Sequence, residues 1–135
     1  MKLAKYSGIL LIGTGVIHNL LGLVMGKPIL QEIINSGFVN TIHEQMDRNA
    51  IFWFLFGGFM MMILGKLMQD YLKENEKPLP VSLGYYLLAL SLIGCIMMPI
   101  SGFWIVLPQA FLIIAAGRHK HAVATFNEES PALKP

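Results

Sequence analysis

The stretch from Pro78 to Gly117 constrains this chain more than any other: forty residues without an Asp, Glu, Lys, Arg or His. A helix in water needs a polar face, and this run supplies none. A helix rises about 1.5 Å per residue and a hydrocarbon core is about 30 Å thick, so one crossing takes about 20 residues. Forty residues are therefore two crossings joined by a tight turn. Pro99-Ile100-Ser101-Gly102 falls at the midpoint, and proline and glycine are residues at which helices stop. The two predicted spans cover about 81–98 and 103–117, with Pro108 placed to kink the second.

The rest of the chain repeats that plan. Tyr6 to Gly26 carries no formal charge and follows a short basic start, Met1-Lys2-Leu3-Ala4-Lys5. A secretory signal opens the same way, but no clear small-x-small cleavage site precedes Lys27, so the segment reads as a first span over about 6–26. Gly8, Gly15, Gly22 and Gly26 share one face of it, and Gly22-x-x-x-Gly26 is a close-packing motif. The spacing leaves open whether the partner helix belongs to this chain or to another copy.

Residues 27–48 form a polar loop. Within it, Pro28 opens a short amphipathic helix with Ile29, Leu30, Ile33 and Ile34 on one side and Gln31, Glu32 and Asn35 on the other. Ser36-Gly37 ends it. Thr41-Ile42-His43-Glu44 has the form of a capping box, which predicts that the next helix starts at Thr41. Its apolar part is the second span, about 49–69, with Phe52, Trp53 and Phe54 at the level of an aromatic belt. Lys73 to Pro80 is a charged turn, Arg118-His119-Lys120-His121 stops the fourth span, and 126–135 reads as a disordered cytoplasmic tail.

The predicted fold is all-α: a single integral-membrane four-helix bundle over 1–125, with a short amphipathic helix in the outer loop between spans 1 and 2. Lys2, Lys5, Lys66, Lys73, Lys77, Arg118, Lys120 and Lys134 fall on one side, against Lys27 and Arg48 on the other. That imbalance places both termini in the cytoplasm of an inner membrane. The basic residues are too few and scattered for a nucleic-acid footprint. A lone cysteine, Cys95, rules out an internal disulfide or a Cys-x-x-Cys redox pair and reads as a small packed residue.

Four pieces carry a likeness: Gly15-Val16-Ile17-His18-Asn19-Leu20-Leu21-Gly22, Phe52-Trp53-Phe54-Leu55-Phe56-Gly57, Pro78-Leu79-Pro80, and Met98-Pro99-Ile100-Ser101-Gly102-Phe103-Trp104. With them the chain resembles, over about residues 5–117, a family of small four-span bacterial membrane proteins of unknown function. In size and helix number it is also loosely similar to DoxX-type membrane proteins. The resemblance implies fold and location. It carries over no catalytic residue, because the family has no established activity.

Candidate chemistry gathers towards the outer loop. His18, with Asn19 beside it, lies next to the glycine face within the first span. An ionisable group there faces the bundle interior, as a ligand or proton acceptor, or else as a neutral imidazole bonded to a neighbouring helix. His43, Glu44, Asp47 and Arg48 form the densest polar cluster. His43-Glu44-x-x-Asp47 differs from the zinc-peptidase His-Glu-x-x-His by its second ligand, and a salt-bridged first turn explains it equally well. His18, His43, Asp47 and Glu32 have the ligand types for a metal, without a diagnostic spacing. Paired-histidine haem ligation would need a second intramembrane histidine, and none exists in the chain. His119-Lys120-His121 reads as the basic stop, and Met60-Met61-Met62 and Met97-Met98 as packing.

Two function classes follow. One is a non-enzymatic accessory or lipid- and partner-binding module, facing the bilayer and a membrane-protein partner or a second copy. The other is a small-molecule, metal or redox-cofactor site between His18 and the outer polar loop, lined also by Trp104 and Gln109. No particular cofactor is indicated.

Overall fold

The computed structural model describes residues 3–42, 45–75 and 77–129, with side chains described as far as His119. A 3-10 turn at Leu3–Tyr6 leads into α1 (Ser7–Met25), followed by α2 (Lys27–Asn35), α3 (Met46–Asn75), α4 (Val81–Met97) and α5 (Phe103–Glu129), and the described residues contain no strand. Leu3–Met25 and Met46–Asn75 are long and apolar enough to cross a membrane; the apolar helices Val81–Met97 and Phe103–His119 are shorter.

Local chemistry sets the boundaries. Ser7 Oγ donates to Ala4 O (2.8 Å) where α1 begins. The Gly26 N–H donates to Gly22 O (2.8 Å) and closes α1, and Pro28 in the first turn restarts the chain as α2. α2 stops where Gly37 (φ 96°), Phe38 (φ 64°) and Asn40 (φ 56°) enter the left-handed region in quick succession. Pro80 precedes α4, and Pro99 follows its end. α5 runs through Pro108 without a break.

α1 packs chiefly against α3 and α4 against α5; the two hairpins meet through α1 and α5. Both pairs run antiparallel. A Cβ added to Gly8 would collide with the Gly65 carbonyl and the Gln69 backbone, and one on Gly65 would strike the Gly8 carbonyl. Further along, Gly15 lies on the Gly58 carbonyl, Gly22 on Phe54 and Leu55, and Gly26 on Ile51. The glycine face of α1 is therefore used within the chain. Gly84 against Ile114 and Gly94 against Phe103 do the same for the second pair. Leu11, Met68, Leu79, Leu87, Val106, Ala110 and Ile113 form the buried core.

This arrangement gives the molecule two ends. Lys5, Lys66, Lys73, Lys77 and Arg118 gather at one, the basic end, where α1 and α4 start and α3 and α5 leave. The connection between α1 and α3 and the α4–α5 turn make the other, the loop end. All four tyrosines, Tyr6, Tyr71, Tyr85 and Tyr86, belong to the basic end, and both tryptophans, Trp53 and Trp104, to the loop end.

Two expectations need correction. α3 starts at Met46, not Thr41: the left-handed residues after α2 use up the connection, and the Thr41 hydroxyl donates to Phe38 O (3.2 Å) rather than capping a helix. Ile34 does not share the packed side of α2; Ile33 is buried while Ile34 is exposed, because the helix rests on α3 along a narrow strip. Of the expected tail at 126–135, α5 includes residues as far as Glu129, and 130–135 lie outside the described residues. The turn of the helix carries on past the last apolar residue because Arg118 to Glu129 contains no Pro or Gly.

The seam predicts its own sensitivity. Gly8→Ala or Gly65→Ala forces two backbones apart and should cost about 1–3 kcal/mol, the usual range for overpacking. At Gly13 and Gly57 an added Cβ meets nothing within 4 Å. Gly13→Ala and Gly57→Ala should hold or raise the thermal midpoint of the purified protein, since alanine is favoured over glycine inside a helix by about 1 kcal/mol, while the seam variants lower it.

Candidate functional site

The loop end holds most of the residues singled out in the sequence. His18 is half-buried on α1, its ring stacked on Phe54 with centroids 3.8 Å apart and planes within 13°. Its Nε2 lies 3.0 Å from Phe54 O, so Nε2 carries the proton and donates to that carbonyl. α3 thus supplies both a ring face and an acceptor to one side chain. The adjacent Asn19 is buried, with its carboxamide tight against Gly58, where a Cβ would overlap it. Among the described residues, Asn19 Oδ1 has no hydrogen-bond partner.

Arg48 is the most heavily used polar group at this end. It is buried in the first turn of α3, and the α1–α3 connection folds around it. Nη1 donates to Thr41 O (3.0 Å) and Nη2 to Ser36 Oγ (3.3 Å); Glu32 Oε2 stands 3.7 Å from Nη2. Glu32 is largely exposed, so that ion pair contributes little beside the two hydrogen bonds. Asp47 Oδ1 accepts the Arg48 backbone N–H (2.9 Å) and caps the first turn. His43 and Glu44 lie outside the described residues.

Trp104 and Gln109 serve other contacts. The Trp104 indole N–H donates to Pro99 O (2.8 Å) and closes the α4–α5 turn. Gln109 is buried, and its Nε2 donates to Thr14 Oγ1 (2.8 Å), tying α5 to α1 at mid-height. Thr14 in turn donates to Leu10 O (2.9 Å). Among the described residues, no group of three or more His, Cys, Asp or Glu side chains is placed to hold a metal ion. The structure therefore brings together Glu32 and Arg48, with Asp47 beside them, and gives His18, Trp104 and Gln109 separate partners.

The basic end contains a feature that sequence reasoning missed. A cavity of about 510 Å³ opens between the start of α1, the last turns of α3, the α3–α4 turn and α5. Lys5, Lys73, Lys77 and His119 stand around it, and Leu79 and Ile113 belong to its lining. Its wall is braced by Gln69, whose Nε2 donates to Lys5 O (3.1 Å) and whose Oε1 accepts the Ile9 N–H (3.3 Å). In the sequence these lysines and His119 come from separate segments and register only as orientation signals. A buried glutamine at the end of an apolar helix was the one available sign that backbone groups converge there.

Two of these contacts are directly testable. Arg48→Ala removes the bonds that hold Ser36 and Thr41 to α3, and should open the 36–45 segment to a non-specific protease, while Glu32→Gln leaves its cleavage rate near wild type. For the link between hairpins, a double-mutant cycle with Thr14→Val and Gln109→Leu should give a coupling of about 0.6 kcal/mol, and at most about 1.7, as for hydrogen bonds between apolar helices.

No curated protein and no solved structure matches the chain, so the likeness to DoxX-type proteins rests on size and helix number alone. A family of unknown function (DUF6463) matches residues 2–120, and the chain belongs to that family.

Proposed function

We propose that this protein is a four-span integral membrane protein, both termini cytoplasmic, working as a non-enzymatic accessory module that binds lipid or a membrane partner. One observation carries the reading: the outer surface is largely apolar, while polar and small residues are buried beside the apolar core. Along α1, Ile9, Leu10, Val16, Ile17, Leu20, Leu21, Leu23 and Val24 are all exposed, while Ser7, Thr14 and Asn19 are buried. Ser91 on α4 and Gln109 on α5 are buried too, beneath exposed Leu90, Leu92, Ile93 and Phe111. A core helix of a water-soluble protein hides its apolar residues. Here only 33% of the apolar window of Leu3–Met25 and 22% of that of Met46–Asn75 is buried. Exposed apolar patches on soluble monomers rarely exceed a few hundred Å², and lipid is the solvent that removes their cost.

Aromatic placement supports the same reading. Tyrosines at the basic end and tryptophans at the loop end form two girdles, as amphipathic rings do at membrane interfaces. The Arg118 guanidinium stacks over Tyr85 (5.7 Å) and also donates to its hydroxyl, anchoring the basic girdle. α4 is 17 residues long, near the lower limit for a crossing, a mismatch that local thinning of the bilayer and snorkelling of Lys77 accommodate.

The second reading, a small-molecule, metal or redox-cofactor site between His18 and the outer loop, has less behind it. His18 spends Nε2 on a backbone carbonyl and its ring face on Phe54. A metal found in stoichiometric amount by elemental analysis of the purified protein would reverse this order.

Membrane fractionation with reporter fusions tests the first reading. The protein should resist alkaline extraction, with a cytoplasmic reporter active after Lys77 and an external one active after Asn40. An external signal at Lys77, or release by alkali, would overturn it.

A further inference from the structure

The geometry points to the basic-end cavity as a binding site for the headgroup phosphate of an anionic lipid, with the upper part of an acyl chain lying on its apolar floor. The inference rests on the membrane-embedded reading above and gives it a ligand class.

Charge comes first. Lys5 arrives from the turn before α1, Lys73 from the last turns of α3, Lys77 from the α3–α4 turn and His119 from α5. Three separate segments thus turn ammonium groups to one opening, α5 adds an imidazole, and no acidic residue belongs to the described lining. Among the described residues, the acids nearest in the chain, Asp70 and Glu74, do not line it. Asp70 is held by Lys66 (2.5 Å), and Glu74 is exposed outside the cavity. An ammonium is a phosphate partner as a point charge, needing no fixed fork geometry.

Shape comes second. The interior is not a bare anion hole: Leu72, Leu79, Ile113 and Ala116 line it below the charges. A free phosphate would leave that apolar wall wet. An amphiphile would satisfy both zones, and about 510 Å³ accepts a headgroup and the first part of a chain while the remainder lies in lipid. The site is also preorganised. Gln69, buried, clamps Lys5 O and the Ile9 N–H, so the backbone carrying Lys5 is fixed to α3 before any ligand arrives. The Lys5 ammonium sits 4.9 Å from the centroid of the Tyr6 ring, which steadies it at the rim.

The location agrees with the ligand. Basic pockets between helices on the cytoplasmic side of a membrane are where anionic headgroups are held, and the lysine imbalance assigns this end to the cytoplasm.

The test uses the full chain in a mild non-ionic detergent, titrated with short-chain phosphatidylglycerol, its phosphatidylcholine counterpart, or inorganic phosphate. Bound lipid is counted by native mass spectrometry, with Tm read in parallel. Phosphatidylglycerol should be retained over phosphatidylcholine by on the order of 100-fold, about fivefold for each of three lysines. The triple variant Lys5→Gln, Lys73→Gln, Lys77→Gln should fall to the phosphatidylcholine level, the corresponding triple arginine variant should keep the preference, and Lys27→Gln at the loop end should not change it. If the triple glutamine variant does not fold, each single exchange should still cost about fivefold. Equal retention of the two lipids, or a preference that survives the glutamine exchanges, overturns the proposal. Inorganic phosphate that displaces the lipid at equal concentration overturns the lipid assignment in favour of a free-anion site. A protein that stays in alkali-washed membranes yet shows no preference fails this inference alone; one that washes out fails the membrane reading beneath it.

Discussion

The contact of α1 on α3, backbone against backbone, sets the rest of the structure. Where Gly8 meets Gly65 and Gly15 meets Gly58, no side chain intervenes, so dispersion and weak Cα–H···O contacts replace a conventional core along that line. Such packing requires no hydrophobic effect, which suits helices whose outward faces are already apolar. It also fixes register. Because Gly8, Gly15 and Gly22 each have a particular α3 partner, a slide of one turn would bring Leu11 or Leu55 into the gap, and the antiparallel pair has one low-energy alignment.

That register positions the polar groups. Gln69 can reach both Lys5 O and the Ile9 N–H because Gly8 and Gly65 allow the two backbones to approach there. His18 can stack on Phe54 and reach its carbonyl because Gly22, one turn on, accepts the Phe54 side chain. Buried polar groups in an apolar setting are costly without partners. Most of those here find a backbone carbonyl on their own helix or the next one, as Ser91 does with Leu87 O and Leu88 O.

Much of the fold was legible in the sequence, and the reasons are physical. A forty-residue gap in charge has few solutions, and the Pro99–Gly102 interruption dates its division. Glycine spacing announced the α1 face because helix geometry maps intervals of seven and four onto one side. The start of α3 was misread because a capping box is a local signal, and three left-handed residues just upstream redirected the chain. The Thr14–Gln109 bond joins positions 95 residues apart, and no local pattern encodes it. The same holds for the basic-end cavity: Lys5, Lys73, Lys77 and His119 are separately unremarkable, and only the antiparallel pairing of two hairpins brings them to one opening.

The cavity's position follows from how those hairpins join. Each is tight within itself, α1 on α3 and α4 on α5, while the two meet along α1 and α5. Gln109 bonds Thr14 at mid-height, and Leu11 and Ile113 pack below it in the shared core. Beyond that level α1 is held close to α3 by Gln69, and α5 is held close to α4 by Gly117 against Val81 and by Arg118 on Tyr85. Each pair is bound to its own partner at the basic end, where the Leu3–Tyr6 turn also reaches α5, and a space is left beside that contact. An opening there is a consequence of strong contacts within hairpins and, among the described residues, a single polar tie between them. Lysine side chains are long enough to reach across such an opening and too costly to bury in it, so they gather at its rim, where a counter-charge with an apolar tail has the shape to fill what the helices leave.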